Sequence, residues 1–143
     1  MRRFAFSLET ALRWRLTKLE TEEANLRGLL VELADLEQSA RDLERSGINQ
    51  REHVQSGEAS PAEREGLADY LHWSAAERTR LLAAATDCRT RIAGQRSALL
   101  EARRNYELLA KLKSQRRHEW DLAFAKELDE MASEACLSRW NSR

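Results

Sequence analysis

The stretch Ser56-Gly57-Glu58-Ala59-Ser60-Pro61-Ala62-Glu63 divides the chain, and its reading decides the fold. In Ser60-Pro61-Ala62-Glu63 the serine hydroxyl can accept from a first-turn backbone N–H. The glutamate three positions on can reach back to the N–H of Ser60. Proline at the first helical position has no N–H to leave unpaired, and its fixed φ suits the helix. A helix therefore starts at Pro61, and whatever precedes it ends by Ser56-Gly57.

Upstream, apolar residues recur every seven positions. One series is Leu12, Leu19, Leu26, Leu33, Ala40; the other is Leu8, Arg15, Glu22, Leu29, Leu36, Leu43. Only Arg15 and Glu22 interrupt them. Such a repeat is the stripe of a coiled coil, and polar residues within a stripe weaken it while fixing register or oligomer state. The helix starts near Ser7, whose hydroxyl can cap it. The pattern fails at Ser46-Gly47, and Ile48 to Gln55 either continues the helix or frays.

Downstream, the second stripe reads Leu67, Leu71, Ser74, Arg78, Leu81, Ala85, Cys88, Ile92, Gln95, Leu99, Ala102, Tyr106, Leu109. No proline follows Pro61, and Gly66 and Gly94 are the weak points. Two long heptad helices joined by one turn pack most simply against each other in opposite directions. The sequence thus predicts an all-α chain: an antiparallel two-helix coiled-coil hairpin with the longer helix C-terminal. It is read as a single domain, with a first arm over about 7–45, a turn region at 46–60 and a second arm over about 61–133.

At about 1.5 Å per residue, the second arm outruns the first by roughly 30 Å or more. A turn near Gly47–Gly57 sets Leu8 opposite roughly residues 98–105, leaving the remainder of the second arm without a partner. This overhang carries Leu112, Trp120, Phe124, Leu128 and Met131 at mostly helical spacing. An exposed apolar helix face awaits a partner.

Composition agrees with long helices rather than a globule rich in turns: 42% hydrophobic, 34% charged, one proline and five glycines. The formal net charge is zero, but the balance breaks locally. Residues 103–118 hold Arg103, Arg104, Lys111, Lys113, Arg116 and Arg117 against Glu107 alone, and 119–134 hold six carboxylates against Lys126. The acidic block would repel phosphate, which argues against a nucleic-acid partner.

Cys88 and Cys136 show no paired metal or redox spacing, and Cys88 reads as a small apolar seam residue. No signal-peptide run and no membrane-length apolar stretch occur, which predicts an intracellular, soluble chain. No glycine-rich phosphate loop is present. His53, His72 and His118 are scattered and read as surface residues, with no metal site expected. A two-helix hairpin offers no deep, water-excluding cleft, so no enzyme activity and no cofactor is expected.

Both ends of the chain carry runs of a recognisable kind. The N-terminal run is Phe4-Ala5-Phe6-Ser7-Leu8-Glu9-Thr10-Ala11-Leu12-Arg13. The C-terminal runs are Ala102-Arg103-Arg104-Asn105-Tyr106-Glu107, Leu109-Ala110-Lys111-Leu112-Lys113, Glu119-Trp120 and Glu127-Leu128-Asp129-Glu130-Met131-Ala132. Together these runs resemble the ends of the flagellar FliJ family, and the resemblance implies an antiparallel coiled coil similar to the central stalk of rotary ATPases. It would lie in the cytoplasm, peripheral at the base of the flagellar type III export apparatus. Its partners would be the export ATPase hexamer, the cytoplasmic domain of the export gate, and substrate chaperones whose cycling it assists.

On this reading Arg103, Arg104, Lys111, Lys113, Arg116, Arg117, Trp120 and Phe124 face the ATPase, with Phe4 and Phe6 joining from the paired N-terminal end. The bland alternative is that the basic residues pair with carboxylates of their own helix. Tyr70 and Trp73, three apart and off the seam, are candidates for the export gate. Their alternative is packing on Ile48 or Val54. A generic coiled-coil scaffold or dimerisation module is the competing function.

Overall fold

The structure, a computed structural model, describes residues 2–143. It contains two helices, α1 (Glu9–Gln55) and α2 (Pro61–Asn141), and no strand among the described residues. The two long helices pack together. Contacts cluster in two units: Thr21–Leu99, and the residues up to Glu20 with Leu100–Arg143.

The turn between the helices is built from local chemistry. The Ser56 N–H donates to Glu52 O at 2.9 Å and the Gly57 N–H to Val54 O at 3.3 Å. Gly57 then takes φ +79°, a left-handed conformation that glycine reaches without a Cβ clash. Ala59 is buried. Ser60 Oγ accepts from the Glu63 N–H at 3.2 Å, so the cap expected at Pro61 is made on its serine side. Glu63 turns instead to His53, whose Nε2 lies 2.5 Å from Glu63 Oε2. His53, read from the sequence as an unpaired surface residue, thus ties the end of α1 to the start of α2.

The first arm does not end near residue 45. α1 runs through Ser46 and Gly47 to Gln55. A helical glycine costs only about 1 kcal/mol relative to alanine, and here tertiary contact offsets it. Ser46 Oγ and Tyr70 Oη are 2.6 Å apart, and Gly47 is buried against Leu71. α2 likewise passes residue 133 to Asn141, because Ala132, Glu134, Ala135 and Leu137 are strong helix formers with no breaker among them.

In the unit Thr21–Leu99, ion pairs and hydrogen bonds join the helices in opposite order along the chain. Glu32 meets Arg91 at 2.7 Å, Glu37 meets Arg89 at 2.6 Å, Glu44 meets Arg78 at 3.5 Å, and His53 meets Glu63. Between them lie Ala40, Leu81, Ala85, Cys88 and Ile92, all buried. Cys88 is 0% exposed, and its Sγ donates to the carbonyl of Leu29 at 3.4 Å. Glu22, the carboxylate that interrupts the first stripe, is buried and meets Gln95, a polar interruption of the second. Gln95 Nε2 donates to Glu22 O at 3.0 Å and to the Glu22 carboxylate.

In the other unit Leu12, Leu19 and Ala102 are buried, and Glu9 pairs with Lys113 at 2.8 Å. Leu8 was expected opposite roughly residues 98–105. The Glu9–Lys113 pair moves that match further along α2, because α1 continues to Gln55 before the chain turns. The start of the overhang moves along α2 with it, and its length is kept because α2 runs on to Asn141.

The two glycines of this region respond oppositely to alanine. A Cβ at Gly47 would meet Leu71 at 3.7 Å, an ordinary contact distance. Gly47→Ala should raise stability by about 0.5–1 kcal/mol through helix propensity, and Gly57→Ala should lower it by about 1 kcal/mol through its left-handed φ. Thermal unfolding followed by circular dichroism measures both signs.

Candidate functional site

The basic segment of α2 and the residues that precede α1 form one surface. The chain enters α1 through the Glu9 N–H donating to Phe6 O at 3.1 Å and the Leu12 N–H to Leu8 O at 2.8 Å. This leaves Phe4 in an irregular stretch, with its ring packed on α2. Its ring meets Trp120 edge to face, with centroids 6.1 Å apart and planes at 62°. Trp120 in turn stacks on Phe124, four residues on, at 5.2 Å and 14°. An edge-to-face contact and an offset stack are the arrangements that the ring quadrupoles favour.

Arg117 binds this aromatic group together. Its Cζ lies 5.2 Å from the Phe4 ring and 5.0 Å from the Trp120 ring, close enough for cation–π attraction to both. Its Nε also lies 3.2 Å from Asp121. A shallow groove opens beside the group, lined by Phe4, Leu12, Tyr106, Ala110, Ser114 and Arg117.

The other basic residues differ in what they touch. Arg116 reaches Glu119 at 3.3 Å on its own helix, and Lys113 reaches Glu9 on α1. The acidic block that begins at Glu119 thus supplies own-helix partners that residues 103–118 lack. Arg103 is exposed but not without a partner. Arg104 and Lys111 are exposed, with no ion pair or hydrogen bond among the described residues. Exposed ion pairs are worth about 0–1 kcal/mol each, so a partner's carboxylates could displace these at little cost.

Tyr70 and Trp73 lie together in the unit Thr21–Leu99, with ring centroids 6.1 Å apart at 38°. They are not equivalent. Tyr70 is half-buried and its hydroxyl holds Ser46 across the helix pair, whereas Trp73 is 55% exposed. Tyr70 therefore has a structural attachment to α1, made through Ser46, and Trp73 is the side chain offered outward.

Glu9 was not singled out by the sequence, although Lys113 depends on it; that pairing follows from register, which no local spacing encodes. Exposed Trp14, with Arg15 Cζ 4.9 Å from its ring, was also passed over. Among the described residues no three His, Cys, Asp or Glu side chains gather to hold a metal ion, and no helix is long and apolar enough to cross a membrane.

Tyr70→Phe should lower stability by about 1 kcal/mol, the net worth of a hydrogen bond left half-made, and Trp73→Ala should leave it nearly unchanged. Urea unfolding midpoints of the two variants check the difference. Comparison with protein-family models, with curated proteins and with solved structures found no match for this chain.

Proposed function

We propose that this chain is an antiparallel coiled-coil hairpin that serves as a stalk and adaptor in a flagellar-type, type III export apparatus. On this reading its paired ends engage the hexameric export ATPase. The region around Trp73 and Tyr70 meets the cytoplasmic domain of the export gate. The protein helps cycle substrate chaperones, and it acts in the cytoplasm, peripheral to the membrane.

The hairpin geometry is supported by two stripes of heptad spacing with Leu12, Leu19 and Ala40 of the first and Leu81, Ala85, Cys88, Ile92 and Ala102 of the second buried, and by cross-helix pairs that run in opposite order. The export role rests on the resemblance of both ends of the sequence to the FliJ family. The observation that carries it furthest is the joint surface of Phe4, Arg117, Trp120 and Phe124. A stalk entering a ring needs charge that pairs with acidic loops and an apolar surface that makes contact without locking. Here cations and flat aromatic rings occur together, and the ion pairs that occupy the cations are exposed and weak.

Dynamic light scattering with the cognate ATPase separates this role from that of a generic scaffold or dimerisation module. A stalk remains a monomer or loose dimer alone and joins the hexamer; a scaffold self-associates and ignores it. Lys113→Glu, Arg116→Glu and Arg117→Glu together should abolish stimulation of ATP hydrolysis while circular dichroism shows the helix content retained. Full stimulation by the triple variant would refute the ATPase-facing assignment. Trp73→Ala should weaken binding to the isolated gate domain several-fold, as loss of an exposed aromatic anchor does.

A further inference from the structure

The apolar stripe of α2 does not stop at Trp120. It continues as Phe124, Leu128, Met131 and Ala135, which at 3.6 residues per turn fall within about 60° of one another. Phe4 lies against Trp120, and further along the stripe stands bare: Leu128 is 50% exposed and Met131 59%. The two flanks differ. Glu127, Glu130 and Glu134 follow one side, while Ala125 and Ala132 on the other leave room for close approach. Glu130 is held loosely by Lys126 at 3.8 Å, and Glu127 and Glu134 have no ion pair among the described residues.

We infer that Phe124–Ala135 is a docking surface for an amphipathic helix of a partner protein whose apolar face is flanked by Lys or Arg. Charge selects this occupant over a second copy of the chain. Residues 119–134 hold six carboxylates and one lysine, so two copies laid along this stripe would bring two strongly acidic segments together, and in the antiparallel arrangement would set the Glu127, Glu130 and Glu134 edge against itself. A basic helix relieves that repulsion, and Glu127, Glu130 and Glu134 on one edge give it orientation as well as attraction. Its apolar face would continue the packing that Phe4 begins at Trp120. This surface shares Phe124 with the group assigned to the ATPase, but Leu128, Met131 and the edge of Glu127, Glu130 and Glu134 lie beyond that group, and the inference does not depend on that assignment.

The test uses the full chain and three labelled synthetic peptides, read by fluorescence anisotropy. One carries Leu at heptad seam positions with Lys flanks; the second replaces each Lys by Glu; the third scrambles the first. The basic amphipathic peptide should bind saturably and more weakly as salt is raised, and the other two should not bind. Met131→Asp should weaken binding by about tenfold or more, as expected for removing one buried side chain from an interface. Glu127→Lys, Glu130→Lys and Glu134→Lys together should transfer the preference to the acidic peptide, with helix content unchanged by circular dichroism. Equal binding of all three peptides, or of none, overturns the proposal. So does sedimentation showing a dimer that Met131→Asp dissolves, since the occupant would then be a second copy.

Discussion

Cys88 reaches the main chain of the other helix, and much of the packing follows from that approach. A thiol donating to the Leu29 carbonyl requires two helix backbones close together, which only small seam residues permit. Ala40, Ala85 and Cys88 supply the small volumes, and Leu81 and Ile92 supply the larger ones beside them. Two helices without a third have no thick core. Each buries one stripe and leaves the rest in water, so stability must accumulate along the length rather than at a centre. The arginine–glutamate pairs Arg91–Glu32 and Arg89–Glu37 lie at the margins of the stripe in the same unit. Individually weak, they favour one alignment of partners over its neighbours.

That dependence on length explains which features the sequence revealed. Leu12, Leu19, Ala40, Leu81, Ala85, Cys88, Ile92 and Ala102 were legible as seam positions because heptad spacing is local information, and all eight are buried. The start of α2 was legible for the same reason, since Ser60 and Pro61 act on the turn they begin. The end of α1 was not. Ser46-Gly47 has a low helix propensity, and the contacts that override it come from Tyr70 and Leu71, more than twenty residues away. An error in where the chain turns passes directly into register. This is why the pairing of Glu9 with Lys113 is not legible from the two stripes alone.

The candidate site shows the same division. Arg116 and Arg117 were visible as a basic run, and their carboxylate partners lie just beyond it on the same helix, where an i, i+3 or i, i+4 reading would find them. Phe4 on Trp120 is a different case, since no periodicity relates residue 4 to residue 120. Composition also gave no reason to rank Trp73 above Tyr70. Their difference rests on a hydroxyl, which lets tyrosine bond to Ser46 while the tryptophan next to it remains outside.

Glu22 and Gln95 make the seam directional. A carboxylate in an apolar stripe is tolerated where an amide N–H meets it, and one heptad along α2 in either direction the facing residue would be Cys88 or Ala102. Neither offers a comparable donor, so sliding gives up a hydrogen bond to a charged group inside the seam, worth about 1.5–3 kcal/mol. Sliding one helix past the other is therefore opposed inside the seam as well as at its margins, in the way a key prevents a collar from slipping on a shaft. Axial load applied to one strand of the pair is transferred to the other there, and shear, the cheapest failure of a smooth leucine seam, is suppressed without thickening the molecule.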